Sequence, residues 1–322
     1  MDTLAVIDIG SNSMCLLVAA QLQDGSLAVV AKHKHAARLR DEVDDAGQLS
    51  ATGVLRAATV LAQFHQVLVN WRVERVRVVA TAALRAARNA DELVRLVATQ
   101  TGLSIEIISG ETEAWLAWRG VLGGMRRAGA AAAMERTADQ SVLCADVGGG
   151  STELLLSRGD EVLHTVSVPL GALVVTKAWL GPDPVGGAAI AAARQGVREA
   201  LAGATAPLRA AGVQAAVAAS GTMQRVARIA CAQQGQITQD IHGMQLGRGQ
   251  LAAVLAALEA APTHLQRLSI AGMDPLRADS LLGGALIYEA LTELLDLEAW
   301  SVSLDGLRMG VLTELAAAGP RA

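Results

Sequence analysis

Two carboxylates, Asp146 and Glu153, stand seven residues apart around the run Val147-Gly-Gly-Gly-Ser-Thr152. Asp146 closes one apolar stretch and Glu153 opens the next, so the segment reads as a strand, a glycine turn and a return strand. Carboxylates at those two positions could flank one Mg²⁺, directly or through water, because that ion takes one or two carboxylates and completes its shell with water and phosphate oxygens. Gly148, Gly149 and Gly150 let backbone N–H groups approach an anion that a Cβ would hold off, and Ser151 and Thr152 add hydroxyls. Alone, such a segment is equally well a glycine-rich turn beside a solvated acid. It is not alone. Asp8-Ile-Gly-Ser-Asn-Ser13 repeats it, with Asp8 matching Asp146, Gly10 matching Gly148 and Ser13 matching Ser151. The repetition favours phosphate binding, with Ser11, Asn12 and Ser13 as the first loop, and two similar lobes holding one phosphate-bearing ligand from opposite sides.

Four further groups lie where chemistry could use them. Ser109-Gly-Glu-Thr-Glu-Ala114 follows a strand and opens a helix, which puts Glu111 and Glu113 in a first turn. A carboxylate there could deprotonate a water attacking phosphorus. Glutamates are also ordinary in first turns because the helix dipole favours them, and the residues alone favour that plainer reading. Arg85 is expected in the loop after a strand at 75–81, as a phosphate clamp or a surface ion pair. Ser220-Gly-Thr222 follows a strand and opens a helix, so Gly221 and Thr222 read as an anion site or a simple cap. Lys32-His-Lys-His35 with Arg38 and Arg40 is the one basic cluster, more often a solvated face than a polyanion site. Trp115 and Trp118 read as packing residues, and His242 as part of a turn. There is no GxxxxGK[ST], and the only lysines are Lys32, Lys34 and Lys177, so phosphate must be held by amides, hydroxyls and arginines.

The elements that must position these groups follow from the patterning. The 322 residues suggest two domains. The apolar share is 52% but only 2% is aromatic, which implies cores of Ala, Leu and Val. A net charge of −4 leaves no global field for nucleic acid, and no long uncharged apolar run predicts a membrane span. Cys15, Cys144 and Cys231 show no metal spacing, and Cys15 and Cys144, in apolar strands, read as reduced core residues. With no basic start followed by an apolar stretch, a soluble, cytoplasmic protein is expected. Strands are predicted at 3–9, 13–20, 27–32, 75–81 and 104–109, with helices from Ser50, from an Asn89/Glu92 capping box and over 110–121. The plan repeats after residue 140: a hairpin at 141–157, a strand at 161–168, a helix near 184–203, a strand at 213–218 and a helix from Thr222. Helices near 247–260, 276–295 and 306–317 and a strand at 299–304 complete it. The low-complexity stretch 123–139 reads as the connection. The lobes are drawn at 1–124 and 125–305, with a C-terminal helix over about 306–322 packing back on the first.

Taken together, these motifs resemble the exopolyphosphatase / guanosine pentaphosphate phosphohydrolase family of the actin-like ATPase superfamily. The resemblance rests on 8–13, on Ala80–Arg85 with Asn89, on Ile108–Ala114 and on the unaltered D-x-G-G-G-S-T-E of 146–153. It continues through Val168–Ala172, Arg277-Ala-Asp279 with Gly284-Ala285, and Gly306-Leu-Arg308. It implies an α/β fold of two duplicated actin-like (ribonuclease H-like) lobes with a central inter-lobe cleft. It implies Mg²⁺, or another divalent or a monovalent cation, and release of the terminal phosphate of inorganic polyphosphate or guanosine pentaphosphate. Glu113 becomes the general base, Asp146 and Glu153 the metal ligands, and Asp8 a support for metal and water. Ser11, Asn12, Ser13, Gly148, Gly149, Gly150 and Ser151 hold phosphate, while Arg85 and Arg38 bind the polyanion. A homodimer is expected by resemblance only. The chain departs from the family's habits at Cys15, Ala82, Thr112, Ser220 and Met309, and it resembles the short form that lacks a helical His-Asp extension. Three rivals stay open on the same residues: a small-molecule kinase, a sensor of phosphorylated ligands that does not hydrolyse them, and an actin-like assembly protein.

Overall fold

The computed structural model describes residues 2–127, 140–236 and 240–319. The chain divides into two compact units, Met1–Gly120 with Leu307–Ala322, and Val121–Gly306.

The first unit opens with three consecutive strands, β1 (Thr3–Ile9), β2 (Met14–Gln21) and β3 (Leu27–His35), then a 3₁₀ turn at Leu39–Glu42. α1 (Ala51–Asn70), β4 (Arg75–Ala80), α2 (Ala82–Ala86), α3 (Ala90–Thr101), β5 (Ile105–Ile107) and α4 (Gly110–Arg127) follow. The sheet order is β3-β2-β1-β4-β5. β1–β2 and β2–β3 are antiparallel, and β1–β4 and β4–β5 are parallel. Strand alternation assigns the two faces. Ala5, Ile7 and Ile9 join Leu61, Phe64 and Leu93 in one core, while Leu4 and Val6 join Leu116 and Leu312 in the other. Burial on both faces explains why Leu4–Ile7 of β1 are all apolar. Ser50 caps α1 by accepting from Gly53 N, and Val54, Ala57, Leu61, Phe64 and Leu68 form its buried stripe.

The second unit repeats the plan with β6 (Ser141–Val147), β7 (Thr152–Arg158) and β8 (Glu161–Val168). Then come α5 (Ala172–Val175) with a π-helical turn at Thr176–Leu180, α6 (Gly187–Ala211), β9 (Ala215–Ala218) and α7 (Gly221–Gln233). It ends with β10 (Gln245–Gly247), α8 (Arg248–Glu259), α9 (His264–Leu268), α10 (Leu281–Leu294) and β11 (Ala299–Val302). The order is β10-β11-β9-β6-β7-β8. Two antiparallel pairs followed by two parallel ones match the first sheet, and β10 adds one antiparallel strand. α10 is buried over most of its surface, with Glu289 and Glu293 left at its rim to pair with Arg194 and Arg198.

Several boundaries differ from the sequence reading. β3 runs on to His35, its last four side chains, Lys32–His35, all exposed on this edge strand. Arg85 lies on the short helix α2, not in a loop. Asn89 precedes α3 but does not cap it. Its side chain accepts from Leu49 N and donates to Leu49 O, tying two loops instead. α6 starts later and runs longer than predicted, and α10 begins at Leu281. Of the expected connection at 123–139, residues 123–127 continue α4 and 128–139 lie outside the described residues. Among the described residues no helix is long and apolar enough to cross a membrane.

The C-terminal helix α11 (Leu307–Ala317) belongs to the first unit. Arg75 donates to the carbonyls of Leu315 and Gly319, and Arg77 bridges Glu106 and Glu314. α11 meets α4 at Gly310, where an added Cβ would lie 1.8 Å from the Leu116 carbonyl oxygen. No rotamer relieves a clash with backbone, so Gly310→Ala should destabilise the first unit by about 2–4 kcal/mol. Gly203→Ala, on α6 with nothing within 4 Å of the new Cβ, should raise stability by about 0.5–1 kcal/mol. Urea unfolding of both variants checks the contrast, and a neutral Gly310→Ala would show that the α4–α11 contact is looser than described.

Candidate functional site

Both hairpins close on the same turn. Gly10 N donates to Ser13 O at 3.1 Å, and Gly148 N donates to Ser151 O at 2.9 Å. A Cβ on Gly10 would sit 2.9 Å from Ser13 O, and one on Gly148 would sit 3.3 Å from Ser151 O, so the tight closure demands small residues. Register then decides which side chains meet. Asp146 lies directly opposite Glu153, and Asp8 lies directly opposite Cys15. Residues opposite each other in an antiparallel pair share a face with Cβ atoms about 5 Å apart. The second hairpin therefore carries two carboxylates side by side, where the first carries a carboxylate and a thiol. Ser167 of β8, opposite Glu153, donates to its Oε1 at 2.9 Å. Glu153 is buried and Asp146 half-buried. Among the described residues no three His, Cys, Asp or Glu side chains gather to cage a metal. A paired hard-oxygen donor set of two carboxylates fits Mg²⁺, which needs only one or two such ligands beside water and phosphate.

The loop of the second unit is anchored by its neighbours. Gly148 O and Gly149 O accept from Ala172 N and Leu173 N at 2.9 Å each. A Cβ on Gly171 would lie 2.4 Å from the Gly149 carbonyl carbon, so only glycine admits this approach. The Thr152 hydroxyl donates to Leu170 O, and the Thr222 hydroxyl donates to Val147 O at 3.0 Å. Each side chain thus fastens the loop with its one hydroxyl proton, and the donor expected of Thr152 points into the protein. Ser220 caps α7 through Met223 N and pairs with the buried Tyr288 hydroxyl at 2.8 Å. Burial pushes the Tyr288 hydroxyl well above the usual tyrosine range, keeping it a neutral donor or acceptor. Gly221 faces Arg277, whose guanidinium nitrogen would lie 3.0 Å from an added Cβ.

In the first unit Ser11 and Asn12 are buried, and the segment after β3 pins their backbone. Arg38 N donates to Asn12 O at 3.0 Å and Arg40 N to Ser11 O at 3.1 Å, with Arg38 in the left-handed region at φ 48°. The Ser11 hydroxyl oxygen is buried with no hydrogen-bond partner among the described residues, a cost that an anion accepting from it would remove. The Arg38 side chain donates to Asp41 at 2.6 Å. Burial raises the Asp8 carboxyl above its ordinary value, and Arg308, which donates to it at 3.3 Å, opposes that shift. Glu111 is exposed, whereas Glu113 is buried and accepts from Arg85 at 2.6 Å. Arg85 also donates to Ile108 O at 3.0 Å, which fixes the guanidinium over the start of α4.

The first unit thus carries Asp8, Ser11, Asn12, Ser13, Arg38, Arg85 and Glu113, and the second carries Asp146, Gly148, Gly149, Gly150, Ser151, Glu153, Gly221 and Thr222. Four contributors had no assigned role in the sequence reading: Arg308, Ser167, Arg277 and Tyr288. Arg308 and Arg277 sit within motifs already noted, so a signal existed. Ser167 and Tyr288 become visible only through strand register and helix packing.

The Ppx/GppA phosphatase family matches residues 18–318. The chain belongs to this family. The matched span includes Arg85, Glu113 and the second hairpin, while the first loop lies before it and rests on the internal repeat and the shared turn. Among curated relatives, the guanosine-5'-triphosphate,3'-diphosphate pyrophosphatase of Vibrio vulnificus is 32% identical over 314 residues, covering 97% of this chain and 59% of that protein. The chain therefore spans little more than half of that relative. Exopolyphosphatase 2 of Mycobacterium tuberculosis is 33% identical over 303 residues, with 90% of each chain covered. The crystal structure of the Aquifex aeolicus Ppx/GppA family member aligns with TM-score 0.81 and 26% identity over 100% of this chain and 99% of its own. An exopolyphosphatase structure from Cytophaga hutchinsonii aligns with TM-score 0.86 at 24% identity, which supports the fold alone. The fold is the two-domain actin-like fold of this family.

The Arg85–Glu113 pair is half-sheltered from water and should couple measurably. A double-mutant cycle of Arg85→Gln and Glu113→Gln in urea unfolding is expected to give about 1–2 kcal/mol of interaction energy. Additive losses would show that the two side chains do not hold each other.

Proposed function

We propose that the chain is a Mg²⁺-dependent phosphoanhydride hydrolase that removes the terminal phosphate of inorganic polyphosphate, of guanosine pentaphosphate, or of both. The observation that carries this reading is the burial of Glu113 at the start of α4 with its carboxylate held by Arg85. A fixed carboxylate that can accept a proton is what a hydrolase needs to activate water. The names of the two relatives, one a pyrophosphatase acting on a guanosine polyphosphate and one an exopolyphosphatase, supply the candidate substrates.

In this reading Ser11, Asn12, Ser13 and the Gly148–Ser151 loop hold phosphoryl oxygens through N–H and hydroxyl donors. Asp146 and Glu153 would hold Mg²⁺, whose charge lowers the cost of the negative charge on the transferring group when it is bound. Ser167 orients Glu153, and Arg308 orients Asp8. Glu113 takes a proton from water as its oxygen bonds to the terminal phosphorus. The bond from that phosphorus to the bridging oxygen breaks, yielding orthophosphate and a chain one phosphate shorter. No covalent phosphoenzyme is required. The kinase rival loses ground because the Ser220 and Thr222 hydroxyls, its one nucleotide-like feature, are bonded to Tyr288 and Val147 within the protein.

The test is phosphate release with Mg²⁺ from long-chain polyphosphate and from guanosine pentaphosphate in parallel. Glu113→Gln should lower turnover by about 10²–10⁴-fold on whichever substrate the wild type cleaves. Turnover within a fewfold of wild type in a folded Glu113→Gln protein would remove the base assignment. Binding of either ligand with no release at all would favour the sensor.

A further inference from the structure

The row of residues across the first sheet runs from Asp8 on β1 to Cys15 on β2 to Lys34 on β3. All three lie on one face, since directly paired residues do, and the β2–β3 register shift at Val18/Ala19 lies beyond this row. Strand spacing puts the Lys34 backbone about 10 Å from that of Asp8, with the buried Cys15 on the strand between them. The Ser13 hydroxyl lies over that thiol, 3.9 Å from the Cys15 sulfur. Cys15 is thus contacted by the loop hydroxyl and flanked across the sheet by Lys34. Lys32 follows two residues back on the same face of β3, opposite Leu17. Both lysines are exposed, and β3 is the edge strand of its sheet.

The charge on β3 is concentrated at one end. Leu27–Ala31 carries none, whereas Lys32–His35 pairs with Met14–Leu17, the part of β2 next to the Ser11–Ser13 loop. Two of the chain's three lysines fall in these four positions, in a protein of net charge −4 whose other cations are overwhelmingly arginine. Lysine is a point charge on a flexible stem, suited to a linear polyanion that needs no single bidentate geometry.

We propose that Lys34, and Lys32 behind it, receive the phosphoryl groups that follow the terminal one in a linear polyphosphate whose end is held at Ser11–Ser13. This rests on the phosphate-loop reading of the first hairpin given under Proposed function. It makes the edge of β3 a track for long chains, and it makes long-chain polyphosphate the ligand that gains most from this strand.

The test is equilibrium binding of long-chain polyphosphate to wild type, Lys32→Gln, Lys34→Gln and the double variant at two salt concentrations. Phosphate release is followed alongside, and Arg95→Gln serves as a control for net charge. Each lysine substitution should weaken long-chain binding by about threefold to tenfold and flatten its salt dependence. Arg95→Gln, which removes an exposed charge paired with Asp91 on α3, should change neither. A double variant that binds within twofold of wild type, an Arg95→Gln effect as large as the lysine effect, or a wild type that does not bind polyphosphate would each overturn the assignment. Lysine-dependent binding without any phosphate release would instead overturn the hydrolase reading and leave the track standing. Guanosine pentaphosphate cleavage with lysine-independent polyphosphate binding would do the reverse.

Discussion

Both hairpins depend on the same turn, closed by a glycine N–H on a serine carbonyl three residues later. That bond joins two strands in the only register that sets Asp146 against Glu153 and Asp8 against Cys15. A shift of one residue would send every side chain of the return strand to the opposite face and separate the two carboxylates. The turn is held in place by bonds from its neighbours. In the second unit Ala172 N and Leu173 N hold the loop carbonyls, and Thr222 holds Val147. In the first unit the backbone of Arg38 and Arg40 holds Ser11 and Asn12.

The two copies differ at the position facing the aspartate. At the position where the second hairpin carries Glu153, the first carries Cys15, and Asp8 is met by Arg308 rather than by a second carboxylate. A site for a divalent cation therefore fits the second hairpin far better than the first. In the first copy a cation, Arg308 from α11, meets Asp8 instead, and the lysines of β3 pair in register with the start of β2. The return of α11 to the first unit, fixed by the close approach at Gly310 and by Arg75 and Arg77, is what brings Arg308 to Asp8.

The duplicated fold was legible because its signals are local: apolar runs interrupted by D-x-G turns, and helical stripes such as Leu61, Phe64 and Leu68. Short elements escaped, since three residues of β10 or five of α9 give periodicity nothing to act on. Asn89 misled for a physical reason: the same side chain that can cap a helix can bridge two loops, and tertiary structure chose the latter. Among the site residues, Glu113 could not be told from Glu111 by residue type and first-turn position alone. Burial and Arg85 distinguish them. The hydroxyls of Thr152 and Thr222 looked like ligand donors because sequence shows the group but not the carbonyl already waiting for it. Ser167 and Lys34 are defined by which strand lies beside which, a relation that no spacing along the chain contains.

The account stands most directly on the paired carboxylates of the second hairpin, and binding of Mn²⁺ as a spectroscopic stand-in for Mg²⁺ tests them without any assumption about substrate. Paramagnetic resonance titration of wild type, Asp146→Asn and Glu153→Gln would read the ion bound per chain. The account predicts one site in the wild type whose affinity falls about tenfold or more when either carboxylate is replaced. Unchanged Mn²⁺ affinity in both folded variants would contradict it, because the register that pairs Asp146 with Glu153 would then serve no cation.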